Sequence, residues 1–215
     1  MKLADYSAYI FDMDGTLIHS APQIMACLCQ AFVRVGYEVP SDLFSVEKVG
    51  PPIRQIVSSI APELEGTQTQ EEIVANFREI YDYSTTDDSR LYPHMETFLQ
   101  TLHRLGKPLF VATFKPKVPT LRLINQLGLT YFKDVYTVDK YAQPISKTQM
   151  ITEIVQKYAL LPKQVIMFGD TESDLTAAKQ AGTLAAACLW GYGQNKENLK
   201  NISDFSFASA EELLP

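Results

Sequence analysis

Short apolar runs rich in Val, Ile, Phe and Tyr alternate along this chain with longer segments of helical periodicity, and few architectures accept that alternation. The runs "AYIFDMD", "KPLFVATF", "DVYTVD", "QVIMFGD" and "LAAACLWG" are each too short for a typical buried helix and read as strands. Helix patterns lie between them. In "PHMETFLQTLHRLG", Pro93 is expected just inside the helix start, Met95, Phe98, Leu99, Leu102 and Leu105 follow helical spacing, and Gly106 ends it. "KVPTLRLINQLG" runs to Gly128, "KTQMITEIVQKYA" aligns Met150, Ile151, Ile154, Val155 and Tyr158, and "SDLTAAKQAG" stops at Gly182. Strand followed by helix, repeated, implies an α/β fold: a Rossmann-like, mostly parallel sheet with helices on both faces.

Residues 17–88 break the rhythm. "APQIMACLCQAFVRVG", "SVEKVGPPIRQIVSSIA" and "TQEEIVANFREIYDYS" read as helices, with a Gly-Pro-Pro turn among them and no evident strand. The polar run "STTDDSR" closes the segment. The expected organisation is therefore a catalytic α/β core from residues 1–16 and 89–215, interrupted by an all-α cap domain at 17–88.

Composition bounds the partners. A net charge of −6 leaves no cationic footprint for a nucleic acid polymer or an anionic membrane. Cys27, Cys29 and Cys188 are odd in number and lack paired spacing, as expected of free thiols in a reducing compartment. No secretory leader is visible ahead of Asp12, and no apolar run is long enough to span a bilayer. The expectation is a cytoplasmic protein, monomeric or homodimeric.

Three of the strand-like runs end in a carboxylate, and two of these belong to acid-rich turns. In "YIFDMDGT", Asp12 and Asp14 stand one residue apart, with Gly15 next. A calcium loop built on Gly15 would need ligands at Ile10 and Ala21, so that reading fails. Alone, the tetrad fits a pair of turn aspartates equally well. In "VIMFGDTESD", Asp170 ends another strand and Asp174 stands where a helix begins, a place the helix dipole also favours for an acid. If the two strands are neighbours, Asp12, Asp14 and Asp170 converge, and three such carboxylates do not all ionise cheaply without a cation. Oxygen ligands favour Mg²⁺, commonly shared with a substrate phosphate. "VATFK" adds Thr113, whose hydroxyl and adjacent backbone N–H groups suit phosphate oxygens, and Lys115; Lys147 precedes a further helix. Taken singly, a lysine in such a place is more often a solvated surface charge.

Taken together and in order, these stretches resemble the haloacid dehalogenase superfamily of phosphohydrolases. "DMDGT" is similar to its first motif, "VATFK" to its second, Lys147 to its third and "GDTESD" to its fourth. The helical insert, with "GPPI", and the later "CLWGYG" resemble the phosphoglycolate-phosphatase-like branch. The resemblance implies Asp12 as nucleophile, forming an aspartyl-phosphate, and Asp14 as general acid and then base. It implies Thr113 and Lys147 gripping phosphate, and Mg²⁺ bound by Asp12, the Asp14 main-chain carbonyl and Asp170, with Asp174 in support. Gly15, Phe114, Lys115 and Arg54 become candidate substrate contacts, Arg54 in competition with a surface salt bridge. An acid at position 14 points to phosphate chemistry, since halide leaves unprotonated.

The chain departs from the family pattern at Phe114, where asparagine is usual. His19 stands where many relatives carry an acid and reads as a helix-entry residue. Lys147 is preferred to Gln143 as the third-motif position because Gln143 carries no charge. The implied activity is Mg²⁺-dependent hydrolysis of a small phosphorylated metabolite: phosphoglycolate-like, nucleotide or sugar phosphate. A phosphomutase shares every motif, and a non-catalytic protein on the same fold is the remaining alternative.

Overall fold

The computed structural model describes residues 5–84, 88–143 and 145–214. Among the described residues there are eight strands: β1 Ala8–Phe11, β2 Ile18–His19, β3 Arg90–Leu91, β4 Leu109–Thr113, β5 Phe132–Thr137, β6 Val165–Gly169, β7 Leu184–Cys188 and β8 Phe205–Phe207. The α-helices are α1 Ala21–Arg34, α2 Ile53–Ile60, α3 Gln68–Asp82, α4 Met95–Arg104, α5 Lys117–Gln126, α6 Lys147–Lys157, α7 Glu172–Gln180 and α8 Lys196–Ile202. The chain forms two compact units, Met1–His19 with Arg90–Pro215, and Ser20–Ser89.

The first unit is built on a six-stranded sheet in the order β5-β4-β1-β6-β7-β8. Every pairing in it is parallel. A parallel sheet is covered on both faces, so its strands are apolar throughout. Alternation then sorts the side chains. Tyr9, Phe11, Leu109, Val111, Ile166 and Phe168 pack on one face with Met95, Phe98, Leu99 and Leu102 of α4. Ile10, Phe110, Ala112, Val165 and Met167 pack on the other with Met150, Ile151 and Ile154 of α6 and Leu175 and Ala178 of α7. The chain winds outward from β1 to β4 and β5, then crosses back to β6 on the other side of β1. In open sheets of this kind, ligands bind at the carboxyl ends of the strands where the winding direction reverses. Here that place is set by the ends of β1, β4 and β6.

Three local features differ from expectation. β2 and β3 form an antiparallel two-stranded ribbon, Ile18 opposite Leu91 and His19 opposite Arg90, so a strand does occur inside the segment 17–88. α4 begins after His94, a left-handed residue at φ 67°, so Pro93 lies ahead of the helix rather than in its first turn. α8 and β8, which no sequence pattern announces, complete the far edge of the sheet.

The second unit, Ser20–Ser89, contains α1, α2 and α3 and no strand among its described residues. α1 buries Ile24, Leu28 and Phe32; α3 buries Ile73, Phe77 and Tyr81. Gln70 is buried, and its amide donates to Arg54 O at 3.2 Å and Ser58 Oγ at 2.7 Å while accepting from Gly66 N at 2.9 Å. A buried amide satisfied in this way fixes the register of α2 on α3. Residues 85–87 of the polar run that ends the segment, and Pro144 of "AQPISK", lie outside the described residues.

Candidate active site

The site grows from the end of β1. Asp12 N donates to Phe168 O at 2.9 Å, which extends the β1–β6 ladder one residue beyond the strand and sets Asp12 beside the end of β6. The chain then turns tightly. Thr16, Leu17 and Ile18 N–H groups all donate to Met13 O, and Gly15 N donates to Ile18 O. Gly15 has φ 80°, and a Cβ there would overlap the Asp170 carboxylate. Two causes therefore demand glycine: the left-handed backbone and the close approach of Asp170.

Asp170 follows β6, and α7 starts behind it. Thr171 caps α7, accepting from Asp174 N at 3.3 Å, while Asp174 Oδ2 accepts from Thr171 N at 3.1 Å and from its hydroxyl at 2.7 Å. This capping box aims Asp174 back toward β6, where the missing side chain of Gly169 leaves room for it. Oxygen atoms of Asp12, Asp170 and Asp174 all lie within 4.8 Å of one another. All three residues are buried.

Lys147, the first residue of α6, enters this cluster. Ser146 and Gln149 form a second capping box that fixes the helix start. The Lys147 ammonium lies 3.0 Å from Asp12 Oδ1 and bonds closely to Asp174 Oδ1. Burial alone would lower the Lys147 pKa, but Asp12 and Asp174 outweigh it and keep the ammonium charged. Burial pushes the Asp12 carboxyl up to about 6, opposed by Lys147 and reinforced by Asp174 and Asp14. Burial pushes Asp170 well up too, with Asp174 and then Asp12 adding to the rise. One ammonium does not balance three buried carboxylates.

These residues fit a hard divalent cation. Asp12 Oδ1 is buried and faces the Lys147 ammonium at 3.0 Å. Asp174 is occupied by Lys147 and Thr171, so Asp12 and Asp170 are the better-placed ligands and Asp174 the support. An all-oxygen carboxylate set of this kind suits Mg²⁺ or Ca²⁺ rather than a softer metal.

Asp14 sits on the other side of Met13. Lys115 Nζ donates to both of its carboxylate oxygens, at 3.0 and 2.9 Å. Lys115 is thus paired with Asp14. Thr113, buried at the end of β4, accepts from Lys115 N at 3.2 Å. Phe114 is partly exposed, and the Lys147 ammonium stands 5.0 Å from its ring centroid, within range of a cation–π attraction. Arg54 belongs to the helical unit, where it is paired with Glu71.

The family model for haloacid dehalogenase-like hydrolases matches residues 9–188, which span every residue named in this cluster. The chain belongs to the haloacid dehalogenase-like hydrolase family.

Among curated relatives, it is 29% identical over 216 residues to a phosphoglycolate phosphatase of Vibrio vulnificus, covering 95% of this chain and 92% of that one. It is 27% identical over 186 residues to the tyrosine-protein kinase PtkA of Mycobacterium tuberculosis, covering 86% of this chain and 62% of the kinase. Among solved structures, a haloacid dehalogenase-like family hydrolase from Streptococcus pneumoniae superposes with a TM-score of 0.82 at 24% identity, covering 97% of both chains. The last likeness concerns the fold alone.

Sequence reasoning missed several residues that shape this haloacid dehalogenase-like site. Thr16 Oγ1 donates to Asp170 Oδ1 at 3.2 Å, and Tyr192 N donates to Asp170 Oδ2 at 2.7 Å. Trp190 and Tyr192, which pass in the sequence for ordinary core or interface aromatics, flank Gly191 at the end of β7. The spacing W-G-Y-G directly after a strand is the available signal. His19, expected as a helix-entry residue, lies instead in β2 and shares a 3.1 Å hydrogen bond between its Nδ1 and the Tyr192 hydroxyl.

Proposed function

We propose that the protein is a Mg²⁺-dependent phosphatase that hydrolyses a small phosphomonoester through an aspartyl-phosphate on Asp12. The observation that carries this reading is the juxtaposition of Asp12, Asp170, Asp174 and Lys147, three buried carboxylates around one ammonium. Family membership and the phosphoglycolate phosphatase relatives support the coarse class, a phosphoric monoester hydrolase.

In this reading Asp12 attacks phosphorus and the ester oxygen departs with a proton from Asp14. Asp14 then removes a proton from water, the water oxygen attacks phosphorus, and Asp12 leaves as a carboxylate. Dividing one displacement between two nucleophiles makes each step easier. Lys115 keeps the Asp14 carboxylate oriented through both steps. Lys147 and Thr113 hold phosphate oxygens, and Lys147 offsets charge as it builds there. Mg²⁺, when bound by Asp12 and Asp170 and the Asp14 carbonyl, supplies the positive charge that lets one anion approach another. The helical unit is proposed as the cap that excludes bulk water during turnover. Arg54, drawn into its ion pair with Glu71, is assigned no role.

The substrate proposed is a small anionic phosphomonoester, with phosphoglycolate first on the strength of the relatives' names. A phosphate-release screen over two- and three-carbon, sugar and nucleotide monophosphates, with Mg²⁺ and with chelator, tests the reading. It expects release that needs Mg²⁺ and vanishes in Asp12→Asn. Metal-independent release, or isomerised substrate in place of free phosphate, would count against it.

A further inference from the structure

The carboxylate of Asp170 is enclosed by a segment that the proposed chemistry leaves without a role. Each of its oxygens accepts one hydrogen bond, from Thr16 Oγ1 at 3.2 Å and from Tyr192 N at 2.7 Å. The two donors come from opposite ends of the chain but are tied together. Trp190 Nε1 donates to Thr16 O at 3.1 Å. Lys196, at the start of α8, donates to Gly191 O at 2.7 Å, and the Tyr192 hydroxyl meets His19 Nδ1 at 3.1 Å. Burial, with Arg90 nearby, lowers the His19 pKa.

Glycines make this closeness feasible. A Cβ on Gly15 or Gly191 would overlap the Asp170 side chain, and one on Gly193 would overlap the Asp170 carbonyl. The 190–193 turn therefore lies against Asp170 with no space to spare.

We propose that Thr16 and the Trp190–Gly193 turn form a positioning clamp that presets the Asp170 carboxylate for the divalent cation. The clamp rests on the cation reading of the preceding section, and it adds residues to which that reading gives no part. Thr16 Oγ1 and Tyr192 N contact the Asp170 carboxylate. They act through Asp170, holding its two oxygens in one rotamer so that the ligand geometry exists before the ion arrives. Partners that orient a ligating group in this manner are typically worth roughly 10–100-fold in metal affinity. Trp190 is the chain's single tryptophan, and its indole is bonded into the clamp, so its emission reports on the state of the clamp.

The test is calorimetric titration of metal-free protein with Mn²⁺ and Mg²⁺, with Trp190 emission followed in parallel. It compares wild type, Thr16→Val and Thr16→Ser. Val keeps the volume and loses the hydroxyl; Ser keeps the hydroxyl. The expected result is an affinity loss of about tenfold or more in Thr16→Val, near-wild-type affinity in Thr16→Ser, and an emission change in wild type that tracks binding. Thermal melts in chelator check that the variants fold. Wild-type binding with unchanged affinity in Thr16→Val would overturn the clamp and leave the cation reading standing, as would equal losses in Val and Ser. Absence of metal binding by wild type would overturn both.

Discussion

Replacing Asp12 with asparagine should abolish turnover and, in metal-free protein at neutral pH, raise stability. Burial lifts the Asp12 carboxyl from its ordinary 3.8 to about 6, even with Lys147 beside it. Each tenfold change in proton affinity corresponds to about 1.4 kcal/mol, so ionised Asp12 costs the folded state about 3 kcal/mol relative to the unfolded chain. Because the folded value is the higher one, the group favours folding most at low pH, and that contribution is lost as pH rises from about 4 through about 6. The asparagine cannot ionise and is spared the loss, while Lys147 keeps Asp174 as its partner. Asp170 shifts in the same direction, and removing the Asp12 charge relieves part of its rise. In chelator, the melting temperature of Asp12→Asn should exceed that of wild type by roughly 6–12 °C at pH 8 for a chain of this size. The gap should shrink as pH falls through about 6 and close only below the ordinary carboxylate value of 3.8. A gap independent of pH, or a variant less stable than wild type at pH 8, would refute the idea that the site is electrostatically strained without its cation.

Two further outcomes follow from the same cluster. Lys147→Met removes the ammonium that faces Asp12 and Asp174, so it should abolish activity and lower unfolding free energy at pH 7.5 by about 3 kcal/mol, read from urea denaturation; a loss of activity with unchanged stability would show that the ion pairs are not formed. Asp170→Asn should raise the Mg²⁺ concentration needed for half-maximal phosphate release by tenfold or more, and the same Mg²⁺ dependence as wild type would exclude Asp170 as a ligand.

Much of this is legible without any coordinates, for physical reasons. β1, β4, β5, β6 and β7 are long enough and apolar enough to announce themselves, and the carboxylates at two of their ends mark where ligands bind. β2 and β3 have two residues each, too few for a period to develop, and they exist only by pairing with one another. β8 is three residues on an edge, and α8 is short and polar. Asp12, Asp14, Asp170, Asp174 and Lys147 carry charges that a sequence displays. Tyr192 acts on Asp170 through a backbone N–H, which any residue but proline would supply, so its side chain gives no hint of the contact. Lys115 pairs with Asp14 from 101 residues away, a partner that the sequence alone does not display. His94 takes the left-handed conformation ahead of α4, a region that few residues other than glycine visit.

The central claim is that phosphorus is attacked twice, first by the Asp12 carboxylate and then by water. The stereochemical course of hydrolysis tests it without requiring an intermediate to accumulate. A phosphorothioate monoester made chiral at phosphorus with two oxygen isotopes would be turned over in water of the third isotope, and the configuration of the released thiophosphate determined. Two in-line displacements predict net retention; inversion would mean that water attacks the substrate directly and that Asp12 is not the nucleophile.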